Sequence, residues 1–223
     1  MLSGFTLIVR WLAAFSVINC KAKLVKGKLV VIEGIDGAGG ETQSKLLLEC
    51  LRSRKIPCER IYYPDYGNPF GDLIHQYLHK KYDFSVDTQF LLYALDMVKD
   101  GEKILGWLAQ GKIVIADRYF TSTIAYQGLR FPIENALKFA EIFRLPKPDV
   151  ILYLKVSPET SIKRKKGEKK NLDRNEADRA FLEKVSVSYE NLVKNQVWGS
   201  WFVIDGEKSI EDVFSQIKKV LRI

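Results

Sequence analysis

Cysteine is scarce in this sequence and nowhere paired. Cys20, Cys50 and Cys58 form no C-x-x-C and share no metal-ligand spacing with the two histidines, His75 and His79. That excludes a structural zinc site and a disulfide scaffold, and it fits a reducing, cytoplasmic setting. A good membrane span is also missing: the first 20 residues, MLSGFTLIVRWLAAFSVINC, are apolar, but Arg10 splits them. They carry no basic leader and no clear small-residue cleavage site, which argues against a signal peptide. Residues 1–27 are therefore set apart as an N-terminal extension, either a start assigned too far upstream or a packed or frayed segment. No internal repeat and no low-complexity segment is present. Neither a helix-turn-helix nor an aromatic stacking module accompanies the basic residues, so nucleic acid is not the expected partner.

What is there is an ordinary globular composition, 47% hydrophobic and 28% charged over 223 residues, enough for one domain with a sizeable core. Lys and Arg total 35 against 27 Asp and Glu, and the net charge of +8 favours anionic partners such as nucleotides. From residue 28 to 223, β-rich runs alternate with helical patterns. The runs are Lys28–Glu33, Cys58–Tyr63, Lys112–Asp117, Asp149–Val156 and Trp201–Asp205. The helical patterns span Thr42–Arg54, Phe70–Lys80, Asp87–Gln110, Tyr119–Gly128, Ile133–Phe143, Ser157–Lys163, Ala177–Lys194 and Ser209–Ile223. Several of the runs are apolar throughout, as strands buried on both faces are. The pattern predicts a three-layer, doubly wound α/β domain on a five-stranded parallel sheet, with ligands beyond the carboxyl ends of the strands.

Three strand ends carry chemistry. After the first comes EGIDGAGGETQ, Glu33 to Gln43. Here Gly34, Ile35, Asp36, Gly37, Ala38, Gly39, Gly40, Glu41 and Thr42 form a glycine-rich turn into a helix, whose N–H groups and positive end suit a phosphate. After the second comes Tyr63-Pro64-Asp65. After the third comes ADRYFTSTIAYQG, Ala116 to Gly128. In it Arg118 offers a planar fork to a substrate phosphate, and Asp117 can orient that fork or approach a magnesium ion. Ser122, Tyr126 and Gln127 follow on a helix with groups able to read a base edge or a sugar. A fourth feature is the run KRKKGEKK, Lys163 to Lys170, ahead of NLDRNEADR.

These stretches closely resemble the thymidylate kinase family. The loop resembles its G-x-D-G-x-G-K turn, and the Asp117–Gly128 run resembles its Asp-Arg motif with Ala-Tyr-Gln following. SPETSIKR, ending at Arg164, and FLEKVSVSYENL resemble the helices that bracket its lid, placing a lid at about 164–176. The resemblance runs from about Lys26 to the C-terminus. It implies a P-loop nucleoside triphosphate hydrolase type of fold, ATP and dTMP as substrates, Mg²⁺, and a homodimer. It further implies Asp36 at the deoxyribose 3′-hydroxyl, Arg118 on the dTMP phosphate, Ser122 and Gln127 near the base, and Tyr126 crowding the 2′ position. Arg164, Lys165, Lys166, Lys169, Lys170 and Arg174 would be the lid's cations.

The chain departs from that pattern inside the site. Gly40 stands where the family has its phosphate-binding lysine, and Glu41 where it has Ser or Thr. Tyr66 and Met97 replace arginines, and Lys155 replaces a frequent aspartate. A carboxylate about 4 Å from a phosphate oxygen costs on the order of 4 kcal/mol at an effective dielectric of about 20. Two compensations are open: the lid lysines supply the missing charge, or Glu41 recruits magnesium directly. Failing both, the chain would be an impaired homologue that binds a nucleotide or a partner. If the missing charge is the limit, Gly40→Lys with Glu41→Ser raises activity.

Overall fold

The computed structural model describes residues 27–168 and 171–223. The N-terminal extension, apart from Gly27, and Lys169 and Lys170 lie outside the described residues. Five strands form one parallel sheet in the order β2-β3-β1-β4-β5. They are β1 (Lys28–Glu33), β2 (Cys58–Tyr62), β3 (Ile113–Asp117), β4 (Val150–Lys155) and β5 (Trp201–Asp205), within a residue or two of the sequence expectation. Central β1 and β4 are buried almost throughout, with Leu29, Val31, Ile32, Ile151 and Leu152 fully excluded from solvent.

The chain leaves β1 through α1 (Gly40–Ser53) toward β2 and later returns to the other side of β1 to lay down β4. Right-handed crossovers then put α1 on one face with α9 (Ile210–Leu221), which packs beside it. The opposite face takes α3 (Val86–Val98), α4 (Gly101–Ala109), α5 (Phe120–Gln127), α6 (Ile133–Ile142) and α8 (Arg179–Lys194). Because the order in which strands are laid down reverses at β1, a crevice opens between the carboxyl ends of β1 and β3, and there ligands bind in such sheets. Register sharpens the point, since Ile32 pairs with Asp117 and both loops leave the sheet at one level.

Two helical expectations are corrected. The single helix expected over Asp87–Gln110 is two, α3 and α4, broken at Lys99-Asp100. There the Asp100 carboxylate takes the Tyr63 hydroxyl (3.2 Å) and Lys99 Nζ (2.5 Å), while Asp96 accepts the Asp65 N–H (2.9 Å). These side chains tie the break to the turn after β2, and Gly101 opens the new helix. In addition, the helix expected to stop at Lys163 continues as α7 (Pro158–Glu168), so part of the basic run is helical. Lys165 pairs with Glu168 one turn on, 2.8 Å away.

The arm α2 (Pro69–Leu78) packs on α3 through a small separate core of Ile74, Tyr77, Leu78 and Leu92. Asn68 caps it, accepting the N–H groups of Phe70 (2.9 Å) and Gly71 (3.3 Å). A Cβ on Gly71 would lie 1.8 Å from the Asp65 carbonyl oxygen. Gly71→Ala therefore destabilises by about 2 kcal/mol or more, read as a fall in Tm of roughly 4 to 8 °C; an unchanged melting curve would contradict this seating. The start of α7 is held by Glu207, which accepts from the Ser157 N–H and the Thr160 hydroxyl, both at 2.7 Å. The Ser157 hydrogen bond holds the Glu207 carboxyl below its ordinary range. A depressed acid stabilises above its unfolded value and loses that contribution as pH falls through the folded one. Glu207→Gln is thus expected to lower the urea midpoint at pH 7, with the gap from wild type closing as pH drops below about 4.5.

Candidate functional site

At the end of β1 the chain turns through Gly37 (φ 77°) and Gly39 (φ 98°), left-handed positions that glycine adopts without steric penalty. A side chain on Gly37 would also strike the Ser161 carbonyl oxygen at 2.7 Å. Gly39 leads into α1 without any side-chain cap, so the first N–H groups of this 14-residue helix are free to meet an anion. They face a cleft of about 590 Å³ bounded by residues 34–42, the end of β3, the turn after β2 and the lid.

Arg118 closes the crevice from β3. Its N–H donates to the Ile32 carbonyl at 2.9 Å, prolonging the ladder. Its backbone then turns left-handed, φ 64°, a conformation costing a non-glycine residue about 1 to 3 kcal/mol. That turn throws the guanidinium back over the glycine loop, where Nη1 donates to Gly34 O and Nη2 to Asp36 Oδ1, each at 2.7 Å. The Tyr126 hydroxyl donates to the other Asp36 oxygen at 3.0 Å, and the Tyr126 ring lies under the guanidinium with 5.5 Å between ring centre and Cζ. Asp36, Arg118 and Tyr126 are thus one hydrogen-bonded unit, drawn from the loop, the strand end and α5.

Behind them sits Glu33, which the sequence marked only as the end of a strand. It is 1% exposed and accepts four donors: the Tyr119 N–H (3.1 Å), Thr121 Oγ1 (2.5 Å), Ser122 Oγ (2.5 Å) and Tyr189 Oη (2.7 Å). Burial pushes its carboxyl up, and the hydroxyl donors together with the Arg118 charge pull it back. The Ser122 hydroxyl, expected near a base, is committed to this network, although the residue lines the cleft. Gln127 also lines the cleft, and its Oε1 is buried with no hydrogen-bond partner among the described residues. Tyr66 and Met97, the residues standing for arginines, border the same space.

The lid side differs from expectation. Arg164 does not extend into the cleft: Nη1 donates to Gly37 O at 3.3 Å and Nη2 to Gly206 O at 2.9 Å. With Ser161 Oγ donating to Asp36 O at 2.5 Å, it pins α7 onto the glycine loop. Lys165 lines the cleft beside Glu168 and 3.8 Å from Glu176, while Lys166 is exposed. Arg174 points to the α2–α3 connection instead, donating to Asp83 Oδ1 and Tyr82 O, both at 2.9 Å, and lying 4.0 Å over the Tyr77 ring.

At the altered end of the loop, Glu41 is 71% exposed and bonded to Lys45 at 2.6 Å, a pairing that holds its carboxyl below the usual range. Asp117 is paired with Arg60 of β2 at 2.8 Å, a residue that sequence reasoning missed. Its only signal was a charge on the alternating half-buried face of a strand. No group of three or more His, Cys, Asp or Glu that could hold a metal exists among the described residues. A magnesium ion carried by phosphates would keep most of its waters and need only one or two protein carboxylates. Glu41 and Asp117 are the carboxylates beside the loop.

Comparison with known proteins agrees with this geometry. The family model described as Thymidylate kinase matches residues 32–217. A thymidylate kinase of Prochlorococcus marinus is 34% identical over 213 residues, covering 89% of this chain and 99% of its own. That of Carboxydothermus hydrogenoformans is 32% identical, covering 88% and 98%, and that of Homo sapiens 30%, covering 86% and 89%. The chain, with its glycine loop, its Arg118 fork and its parallel sheet, belongs to the thymidylate kinase family.

Proposed function

We propose that this protein transfers the γ-phosphoryl group of ATP to dTMP, giving dTDP and ADP. The observation that carries the reading is Arg118, held in left-handed backbone with its fork over the loop beside Asp36 and Tyr126. An oxygen of the acceptor phosphate attacks the γ-phosphorus, and the bond to the β,γ-bridging oxygen breaks. The protein's work is positioning and charge stabilisation rather than covalent chemistry. In this scheme the loop amides from Gly34 to Thr42 hold the ATP phosphates, and Arg118 holds the dTMP phosphate. Asp36 receives the 3′-hydroxyl, Tyr126 leaves no room for a 2′-hydroxyl, and the unpartnered Gln127 oxygen accepts from the base. Ser122, through Glu33, fixes the floor on which α5 presents these groups. Arg164 keeps α7 on the loop, and Lys165 faces the phosphates from the lid. Mg²⁺ bound with ATP would neutralise phosphate charge, with Asp117 and Glu41 as the carboxylates it would meet.

We infer a cytoplasmic setting, which the unpaired thiols of Cys50 and Cys58 support; no described helix is long and apolar enough to cross a membrane. We also infer a homodimer: Leu91 and Leu95, one turn apart on α3, are 46% and 39% exposed and would be covered by a second copy. Sedimentation at about twice the 25.6 kDa chain mass is the expected result.

An ADP-release assay with Mg·ATP should show turnover with dTMP and far less with dCMP or UMP; no turnover with any of the three would overturn the reading. Arg118→Ala should lower kcat/KM for dTMP by roughly 10- to 100-fold or more. Tyr126→Phe, which deletes the bond to Asp36, should raise the KM for dTMP by several-fold, about 1 kcal/mol, with the KM for ATP unchanged.

A further inference from the structure

The loop's missing lysine leaves a question of charge, and the space at Gly40 bears on it directly. A Cβ there would lie 2.7 Å from Asp117 Oδ1 and 3.9 Å from Ile32 Cγ2, so Asp117 leans into the volume a side chain would need. It leans there because Arg60 is on its other oxygen. Arg60 leaves β2 opposite Ile115, and its side chain is 14% exposed. Nη2 donates to Asp117 Oδ2 at 2.8 Å and Nε to Ser44 Oγ at 2.7 Å, while Tyr62 packs against the guanidinium at 5.4 Å. Nη1 makes no hydrogen bond to protein among the described residues. Arg60 borders the same cleft as Gly40, Glu41 and Thr42, and its charge is among those that lower the Glu41 carboxyl.

We propose that Arg60, delivered from β2 and braced by Asp117 and Ser44, is the phosphate-binding cation of this site and takes over the role that Gly40 cannot fill. The inference rests on the cleft accepting ATP, and it deepens the kinase reading by naming the group that meets the terminal phosphates. A guanidinium suits the exchange. It stays charged in a half-buried place and can spare a donor edge for phosphate oxygens while another edge holds a carboxylate. A side chain at position 40 would require the Asp117 carboxylate to shift from its place beside Arg60. Lys165, the lid cation facing the same cleft, already has Glu168 at 2.8 Å and Glu176 at 3.8 Å to satisfy.

The test measures dissociation constants for AMP, ADP, ATP and dTMP, with kcat, on the full chain and on Arg60→Gln, Arg60→Lys, Gly40→Lys and Arg60→Gln/Gly40→Lys. Arg60→Gln should weaken ATP by roughly 10- to 100-fold, with AMP and dTMP changed by less than about threefold (within ~0.7 kcal/mol). Gly40→Lys alone should gain nothing, because its Cβ collides with Asp117 and two cations compete for one place. In the Arg60→Gln background the same substitution should recover about tenfold or more in ATP affinity. A structural ion pair would instead weaken AMP, ATP and dTMP together with stability, and that result overturns the proposal, as does an unchanged ATP-to-AMP ratio. If Arg60→Gln does not melt cooperatively, Arg60→Lys decides: it keeps the charge and loses the fork, so the ATP-to-AMP ratio must fall or the proposal fails. Arg60-dependent ATP binding without dTMP turnover would sink the kinase reading and leave this inference standing. Turnover that survives Arg60→Gln unchanged would sink the inference alone, and a wild type with no ATP affinity would sink both.

Discussion

The bond from the Arg118 N–H to the Ile32 carbonyl joins the ends of β1 and β3 just where each must stop being a strand. At that same residue the backbone turns left-handed, and the guanidinium fastens the glycine loop through Gly34 and Asp36. A single side chain therefore fixes the distance between the glycine-loop amides and the α5 wall of the cleft. The strained backbone persists because the register, the loop carbonyl and the Asp36 carboxylate over-determine it. Had Arg118 taken an extended conformation, its fork would not be aimed back across the loop.

Electrostatics in the crevice are arranged in depth. At the bottom, Glu33 is held by an N–H and three hydroxyls, while the Arg118 guanidinium pairs directly with Asp36 at the cleft. Burial pushes the Asp117 carboxyl up, and Arg118 and Arg60 work against that shift from either side. Asp117 and Asp36 are consequently held by arginines, Arg60 of β2 and Arg118 at the end of β3. The lid lysines, which the composition brings to notice first, are occupied with neighbouring acids, exposed, or outside the described residues.

The sheet was legible because apolar β-branched runs such as LVVI and IVIA have few alternatives to burial on both faces, and their boundaries held to within a residue or two. Helix ends were less so. Nothing in the periodicity of residues 87–110 marks the break at Lys99-Asp100, which follows from bonds to Tyr63 and to the turn after β2. The loop and the Asp-Arg run could be read as neighbours because both follow strands of one parallel sheet, and Asp36, Arg118 and Tyr126 do meet. Distance along the chain hid the rest. Arg60 reaches Asp117 across 57 positions, and Glu33 collects donors from α5 and from Tyr189, 156 positions away. Nor could local pattern give the partners of Arg164 and Arg174, since the groups they bind belong to other segments.

Arg174 joins the lid to the α2–α3 arm through a carboxylate, a carbonyl and the face of Tyr77, and its own N–H donates to Leu78 O at 3.1 Å. Arg174 is thereby latched to the arm whose preceding turn carries Tyr66 and borders the cleft. Swinging the lid outward means breaking four contacts at once or dragging the arm along. Under the proposed kinase reading, admission of the donor nucleotide and the shape of the acceptor wall would be mechanically geared to each other through Arg174.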